Sequence, residues 1–127
     1  MENSLTCILI EDDALAIEMM EDYIGRRDDL VLLGKAIQRS DIQDILEMGS
    51  PSIVFLDLII PYGERNDFSF SQFPSTSYFV IISGIPLSHY NGELPLGEIL
   101  ELNKPISFEE FNRCVNSIMK KLKVPNA

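Results

Sequence analysis

Glu11, Asp12, Asp57, Ser83 and Lys104 each stand at the end of a short apolar run. T-C-I-L-I precedes Glu11 and Asp12, S-I-V-F-L precedes Asp57, Y-F-V-I-I precedes Ser83, and the stretch from Glu98 to Asn103 precedes Lys104. Carboxylates gathered at close range cannot all remain ionised without a counter-charge, and a hard divalent cation such as Mg2+, taking a few carboxylate oxygens and several waters, is the natural one. A cation held in this way also suits a phosphoryl group arriving at Asp57, because phosphoryl transfer asks a protein mainly for positioning and charge neutralisation. Lys104 would pair with one phosphoryl oxygen and the Ser83 hydroxyl with another. Plainer roles stand beside these. Asp57 can cap a neighbouring loop, Ser83 can be a turn residue, Lys104 a surface lysine before Pro105, and the acidic triplet Glu11, Asp12 and Asp13 a helix N-terminus favoured by its dipole. The recurrence of such groups at successive strand ends favours the chemical reading.

The elements that would position these groups follow from the apolar pattern. Thr6 to Ile10 reads as a first strand and Leu30 to Ile37 as a second. The stretch Ser52 to Pro61, rich in Ile, Val and Phe and closed by the proline, reads as a third strand buried on both faces, with Asp57 expected at the strand's carboxyl end. Between them, Asp13 is expected to cap a helix with Leu15, Ala16, Met19, Met20, Tyr23 and Ile24 along one side, ending at Gly25. Ser40 and Gln43 have capping-box spacing for a second helix that Gly49, Ser50 and Pro51 stop. Strand, helix, strand, helix, strand requires crossover connections and implies a parallel sheet.

After Pro61 the pattern weakens. Y-G-E-R-N-D is loop-like, and F-S-F-S-Q-F before Pro74 supports only a short helix. Tyr78 to Ile82 is a fourth strand. The following I-P-L-S-H-Y-N-G-E-L-P-L-G carries two prolines and an Asn-Gly pair that act against a regular helix. Glu98 to Asn103 is a fifth strand. Ser107 and Glu110 repeat the capping-box spacing before a stripe of Phe108, Phe111, Val115, Ile118 and Leu122. The expected architecture is α/β, a doubly wound five-stranded parallel sheet of order 2-1-3-4-5 with irregular third and fourth helices. In that order strands one and three flank the switch point, so Glu11, Asp12 and Asp57 converge on one pocket.

The 127 residues leave room for one domain, 1–127, with an ordered core over about 5–122 and residues 123–127 as a tail or linker. A formal charge of -10 repels nucleic acid and anionic lipid, so direct DNA or membrane binding is not expected, and proteins, cations or basic surfaces are the expected partners. No apolar segment is long enough to cross a bilayer, and M-E-N-S-L-T lacks the features of a signal peptide, so a cytoplasmic protein is expected. Cys7 and Cys114 belong to no Cys-x-x-Cys or Cys/His cluster and are read as buried, reduced thiols.

Taken together, E-D-D after strand one, D-L-I-I-P around Asp57, I-I-S-G after strand four and N-K-P after strand five resemble the receiver (CheY-like) domain of two-component response regulators, over essentially the whole chain. E-D-D-A-L-A-I-E, E-D-Y-I and K-P-I-S-F-E-E-F are closest in character to receivers attached to LytTR-type DNA-binding domains. The resemblance implies a flavodoxin-like fold and an aspartate, Asp57, that accepts a phosphoryl group from a histidine kinase or phosphotransfer protein. It also implies Mg2+ organised by Glu11, Asp12, Asp57 and the backbone carbonyl of Ile59, with Ser83 and Lys104 contacting the phosphoryl group and coupling it to a surface change. No separate substrate turnover, and so no enzyme in the usual sense, is implied; the output partner is open, as is a homodimer.

Three departures bear on signal output. Glu101 stands three residues before the lysine, where such domains commonly carry an aromatic, Y-G-E-R-N-D replaces the usual glycine-rich turn, and the fourth helix is expected to be broken. Glu101 and the broken fourth helix motivate a second reading, a receiver-like interaction module that works without phosphorylation. An aspartyl-phosphate phosphatase of the haloacid dehalogenase type would want a second aspartate where Ile59 stands. A flavodoxin would want a Ser/Thr/Gly-rich loop after strand one, where this chain has acids. His89, the only histidine, falls in the irregular segment and is read as a surface or loop-packing residue.

Overall fold

The three inner strands of this protein alternate their side chains between two apolar layers, which is why those segments read as nearly unbroken hydrophobic runs. The computed structural model describes residues 4–37, 39–57, 70–84 and 98–123. Along the chain these form β1 (Leu5–Ile10), α1 (Ala14–Gly25), β2 (Leu30–Ala36), α2 (Arg39–Leu46) and β3 (Ile53–Asp57). A 3-10 turn at Phe70–Gln72, β4 (Tyr78–Ser83), β5 (Ile99–Asn103) and α3 (Phe108–Lys123) follow. The sheet is parallel throughout, in the order β2-β1-β3-β4-β5, as the sequence implies.

Cys7 and Leu9 of β1, Ile53 and Phe55 of β3, and Val80 and Ile82 of β4 join Ile17, Met20 and Ile24 of α1 and Phe111, Val115 and Ile118 of α3 in one buried cluster. Ile8 and Ile10, Val54 and Leu56, and Phe79 and Ile81 point the other way, against Ile42 and Ile45 of α2 and Phe73 beyond the 3-10 turn. With β3 buried along its whole length, a charge at its interior would be prohibitive. Asp57 accordingly falls on the last residue.

The caps explain where the helices start. Asp13 accepts from the Ala16 amide at 3.1 Å and caps α1 as expected, and Gly25 is the last helical residue. Ser107 and Glu110 form the reciprocal box: Glu110 N–H donates to Ser107 Oγ at 3.0 Å and Ser107 N–H to Glu110 Oε1 at 3.3 Å. The expectation for α2 needs correction. The helix begins at Arg39, so Ser40 lies inside its first turn, and it is Asp41 whose Oδ2 accepts from the Ile37 amide at 3.0 Å. Strand β2 ends at Ala36, one residue short of the expected Ile37, which is exposed. Strand β5 starts at Ile99 rather than Glu98, whose side chain instead pairs with Lys121 of α3 at 3.0 Å.

Both cysteines are buried and free, and burial pushes the Cys7 thiol up to about 12 and the Cys114 thiol up to about 11, which keeps them inert at neutral pH. The third and fourth helices expected between β3 and β4 and between β4 and β5 lie outside the described residues, apart from the Phe70–Gln72 turn, and so do Ile59, His89 and the 124–127 tail.

The turn that follows α1 is tied to α3 by Arg27. Its guanidinium makes a two-pronged contact with Asp29 at 2.9 Å for each prong, and also donates to Asn112 and Asn116 of α3 at 2.9 Å each. On the other side of the sheet the pairing of β1 with β2 skips Leu33, and Gly34 comes under α2, where a Cβ would lie 2.9 Å from Ile45 Cγ1. Gly34→Val is therefore expected to destabilise the fold by about 1–3 kcal/mol through overpacking. Gly25→Ala, where an added Cβ meets nothing within 4 Å, is expected to be neutral or stabilising by a few tenths of a kcal/mol. Urea unfolding of the two variants checks both, and equal midpoints would contradict the packing argument.

Candidate functional site

The carboxyl ends of β1, β3, β4 and β5 deliver the site. Glu11 follows β1 directly, its amide still donating to the Ala36 carbonyl of β2 at 3.0 Å, so its backbone is held by the sheet even though its side chain has left it. Asp57 closes β3 opposite Ile82 of β4, and Ser83 closes β4 opposite Asn103 of β5. Lys104 follows β5 and donates its amide to the Ser83 carbonyl at 2.9 Å. Strand pairing thus sets the backbone of every one of these residues before any side chain interacts.

The side chains converge. Lys104 Nζ lies 3.3 Å from Asp57 Oδ2 and 3.6 Å from Glu11 Oε1. Glu11, Asp57 and Ser83 are buried, at 1, 4 and 1 % exposure, whereas Asp12 is exposed. Glu11, Asp12 and Asp57 each offer a carboxylate oxygen, and these atoms all lie within 4.8 Å of one another. At such a separation two unit negative charges repel by about 3 kcal/mol at an effective dielectric of ~20. Among the described residues, the one ammonium beside these carboxylates is that of Lys104, which offsets part of that repulsion.

The consequence appears at Glu11. Burial first, and then the neighbouring Asp57 carboxylate, push its carboxyl from 4.5 up to about 7, against the opposing pull of the Asp13 amide and Lys104. Its Oε2 accepts the Asp13 N–H at 3.2 Å, but Oε1 is buried with no hydrogen-bond partner among the described residues, since 3.6 Å to Lys104 is an ion-pair distance only. For Lys104, burial alone would lower the ammonium, yet Asp57 and then Glu11 outweigh it and hold it above its ordinary value. An all-oxygen donor set with a buried, unsatisfied carboxylate oxygen and one exposed member open to water fits a hard divalent cation.

The sequence-predicted residues Glu11, Asp12, Asp57 and Lys104 are therefore brought together, and Ser83 sits buried at the end of the adjacent strand. Ile59, expected to contribute its carbonyl, lies outside the described residues. Two contributors escaped the sequence reading. Asp13 supplies its backbone amide to Glu11 besides capping α1. Tyr23, legible only as a member of the α1 apolar stripe, turns its hydroxyl to the Ile106 carbonyl at 2.8 Å. An amphipathic tyrosine carries no positional signal for its polar tip.

No protein-family model matches the chain. Among solved structures it is similar to a CheY-like response regulator receiver domain from Methylobacillus flagellatus, at 19% identity and a TM-score of 0.68, covering 91% of this chain and 98% of that one. A signal receiver domain of a DNA-binding response regulator from Colwellia psychrerythraea 34H gives 18% identity and a TM-score of 0.72, with 92% and 99% covered. The response regulatory domain of protein mrkE from Klebsiella pneumoniae gives 21% and 0.66, with 95% and 97% covered. The fold is thus the flavodoxin-like receiver fold.

The raised Glu11 carboxyl has a sign that can be tested. Between 4.5 and about 7 the folded state binds the proton that the unfolded state has released, so this group's stabilising contribution is complete below 4.5 and is lost as pH rises through about 7. In EDTA, urea unfolding at pH 5 and pH 8 should show the wild type losing stability relative to Glu11→Gln by about 1–3 kcal/mol over that interval. Parallel pH dependences of the two proteins would contradict the electrostatic picture.

Proposed function

We propose that this chain is a single receiver domain, a cytoplasmic phosphoacceptor of a two-component phosphorelay, with Asp57 as the acceptor. The observation that carries the reading is Lys104 Nζ at 3.3 Å from a buried Asp57 carboxylate at the carboxyl end of β3, with Glu11 alongside. An Asp57 carboxylate oxygen attacks the phosphorus of a phosphohistidine on a histidine kinase or phosphotransfer protein. The new O–P bond forms as the N–P bond breaks, and the imidazole leaves with the electron pair and takes up a proton. Lys104 then pairs with a phosphoryl oxygen instead of the unphosphorylated carboxylate, and the buried Ser83 hydroxyl is suited to donate to another.

Glu11, Asp12 and Asp57, with the Ile59 carbonyl, are the residues that would hold Mg2+, which when bound neutralises charge on the phosphoryl oxygens. The strand-end sequence motifs and the similarity of fold to receiver domains support this reading. Among receivers, E-D-D-A-L-A-I-E and K-P-I-S-F-E-E-F align its character with those attached to LytTR-type domains. The acyl phosphate would shift an equilibrium toward a partner-binding conformation, which requires only a differential contact energy of a few kcal/mol. A second reading, a phosphorylation-independent interaction module, is favoured by Glu101, which is exposed on β5 where an aromatic is common in such domains.

Incubation with acetyl phosphate followed by intact-mass measurement separates the two. The expected outcome is one phosphoryl adduct that requires Mg2+ and is abolished in Asp57→Asn. Absence of an adduct in the presence of Mg2+ would overturn the phosphoacceptor reading and put the interaction module in front.

A further inference from the structure

Lys104 is a long, flexible side chain reaching across the site from beyond the end of an edge strand, and its reach depends on where its own backbone is fixed. On the N-terminal side the anchor is clear: the Lys104 amide donates to Ser83 O at 2.9 Å, continuing the β4–β5 pairing. On the C-terminal side the chain runs through Pro105 and the buried Ile106 before α3 begins. There the turn is held from outside by Tyr23 of α1, whose hydroxyl donates to the Ile106 carbonyl at 2.8 Å across 83 residues of sequence.

Tyr23 is itself fixed. Its ring packs against Phe108 and Phe111 of α3 at centroid separations of 5.3 and 5.5 Å, and the Arg26 guanidinium lies over both the Tyr23 and Phe108 rings. The same helix is capped by Asp13, whose amide holds the Glu11 carboxylate. One helix therefore contacts the acidic half of the site through its cap residue and the turn that follows Lys104 through Tyr23.

We infer that Tyr23 is a positioning residue for Lys104: its hydroxyl, through the Ile106 carbonyl, fixes the β5–α3 turn so that the ammonium rests against Asp57 and Glu11. The inference rests on the phosphoacceptor reading above for its effect on rate. Tyr23→Phe keeps the ring packing and removes only the hydroxyl, so the fold is retained while the turn is freed.

The test is a double-mutant cycle on the initial rate of acetyl phosphate labelling at saturating Mg2+, using wild type, Tyr23→Phe, Lys104→Ala and the double variant. With Lys104 present, Tyr23→Phe should slow labelling about 3- to 10-fold, the range that loss of one hydrogen bond commands. With Lys104→Ala in the background, the same change should alter the rate by less than about 1.5-fold, because the group it acts through is gone. An equal slowing in both backgrounds, or none in either, overturns the inference while leaving the acceptor role intact. No wild-type adduct overturns the acceptor role instead, and the geometric claim is then decided by the Lys104 Cε–Hε resonance in 13C-lysine-labelled protein. Displacement of that resonance in Tyr23→Phe supports positioning, and an unmoved resonance overturns it.

Discussion

Crowding of carboxylates at one edge of the sheet is the constraint on which this structure turns. Three carboxylate oxygens lie within 4.8 Å of one another with the Lys104 ammonium beside two of the acids, and those two, Glu11 and Asp57, are buried. Such a cluster costs stability in the absence of a further positive charge or a proton, and Glu11 reveals the cost by holding its proton up to about 7. The fold tolerates it because parallel pairing fixes the backbone of each strand end independently of what the side chains would prefer. The clustered carboxylate oxygens are a donor set that fits a hard divalent cation.

Much of this was legible in the sequence, for physical reasons that differ by element. Strands buried on both faces leave unbroken apolar runs, so β1, β3 and β4 were readable within a residue or so, and with them the polar residues at their ends. The Ser107–Glu110 box was readable because both of its halves are local. The start of α2 was not, because Ser40 and Asp41 are both competent to satisfy free amides near a helix start, and Asp41 is the one that reaches back to Ile37. Nor was the skip at Leu33, which places Gly34 against Ile45, since pairing register is a property of two strands and α2 together.

The long-range polar contacts escaped for the same reason. Arg27 to Asn112 and Asn116, and Tyr23 to Ile106, join residues more than eighty apart and carry no local spacing signal. They make α1 and α3 one unit beneath the site, with Phe55 of β3 stacked on Phe111 of α3 in the shared core. Glu101, on β5, is exposed and adds a carboxylate to its face of the sheet edge.

The central claim, that the strand ends build a cation-demanding carboxylate cluster around Asp57, is tested most directly by calorimetric titration of Mg2+ into the wild type and Asp57→Asn. The account predicts one ion bound per chain, with affinity about tenfold or more weaker in the variant. Absence of saturable binding, or equal binding by the two proteins, would contradict it.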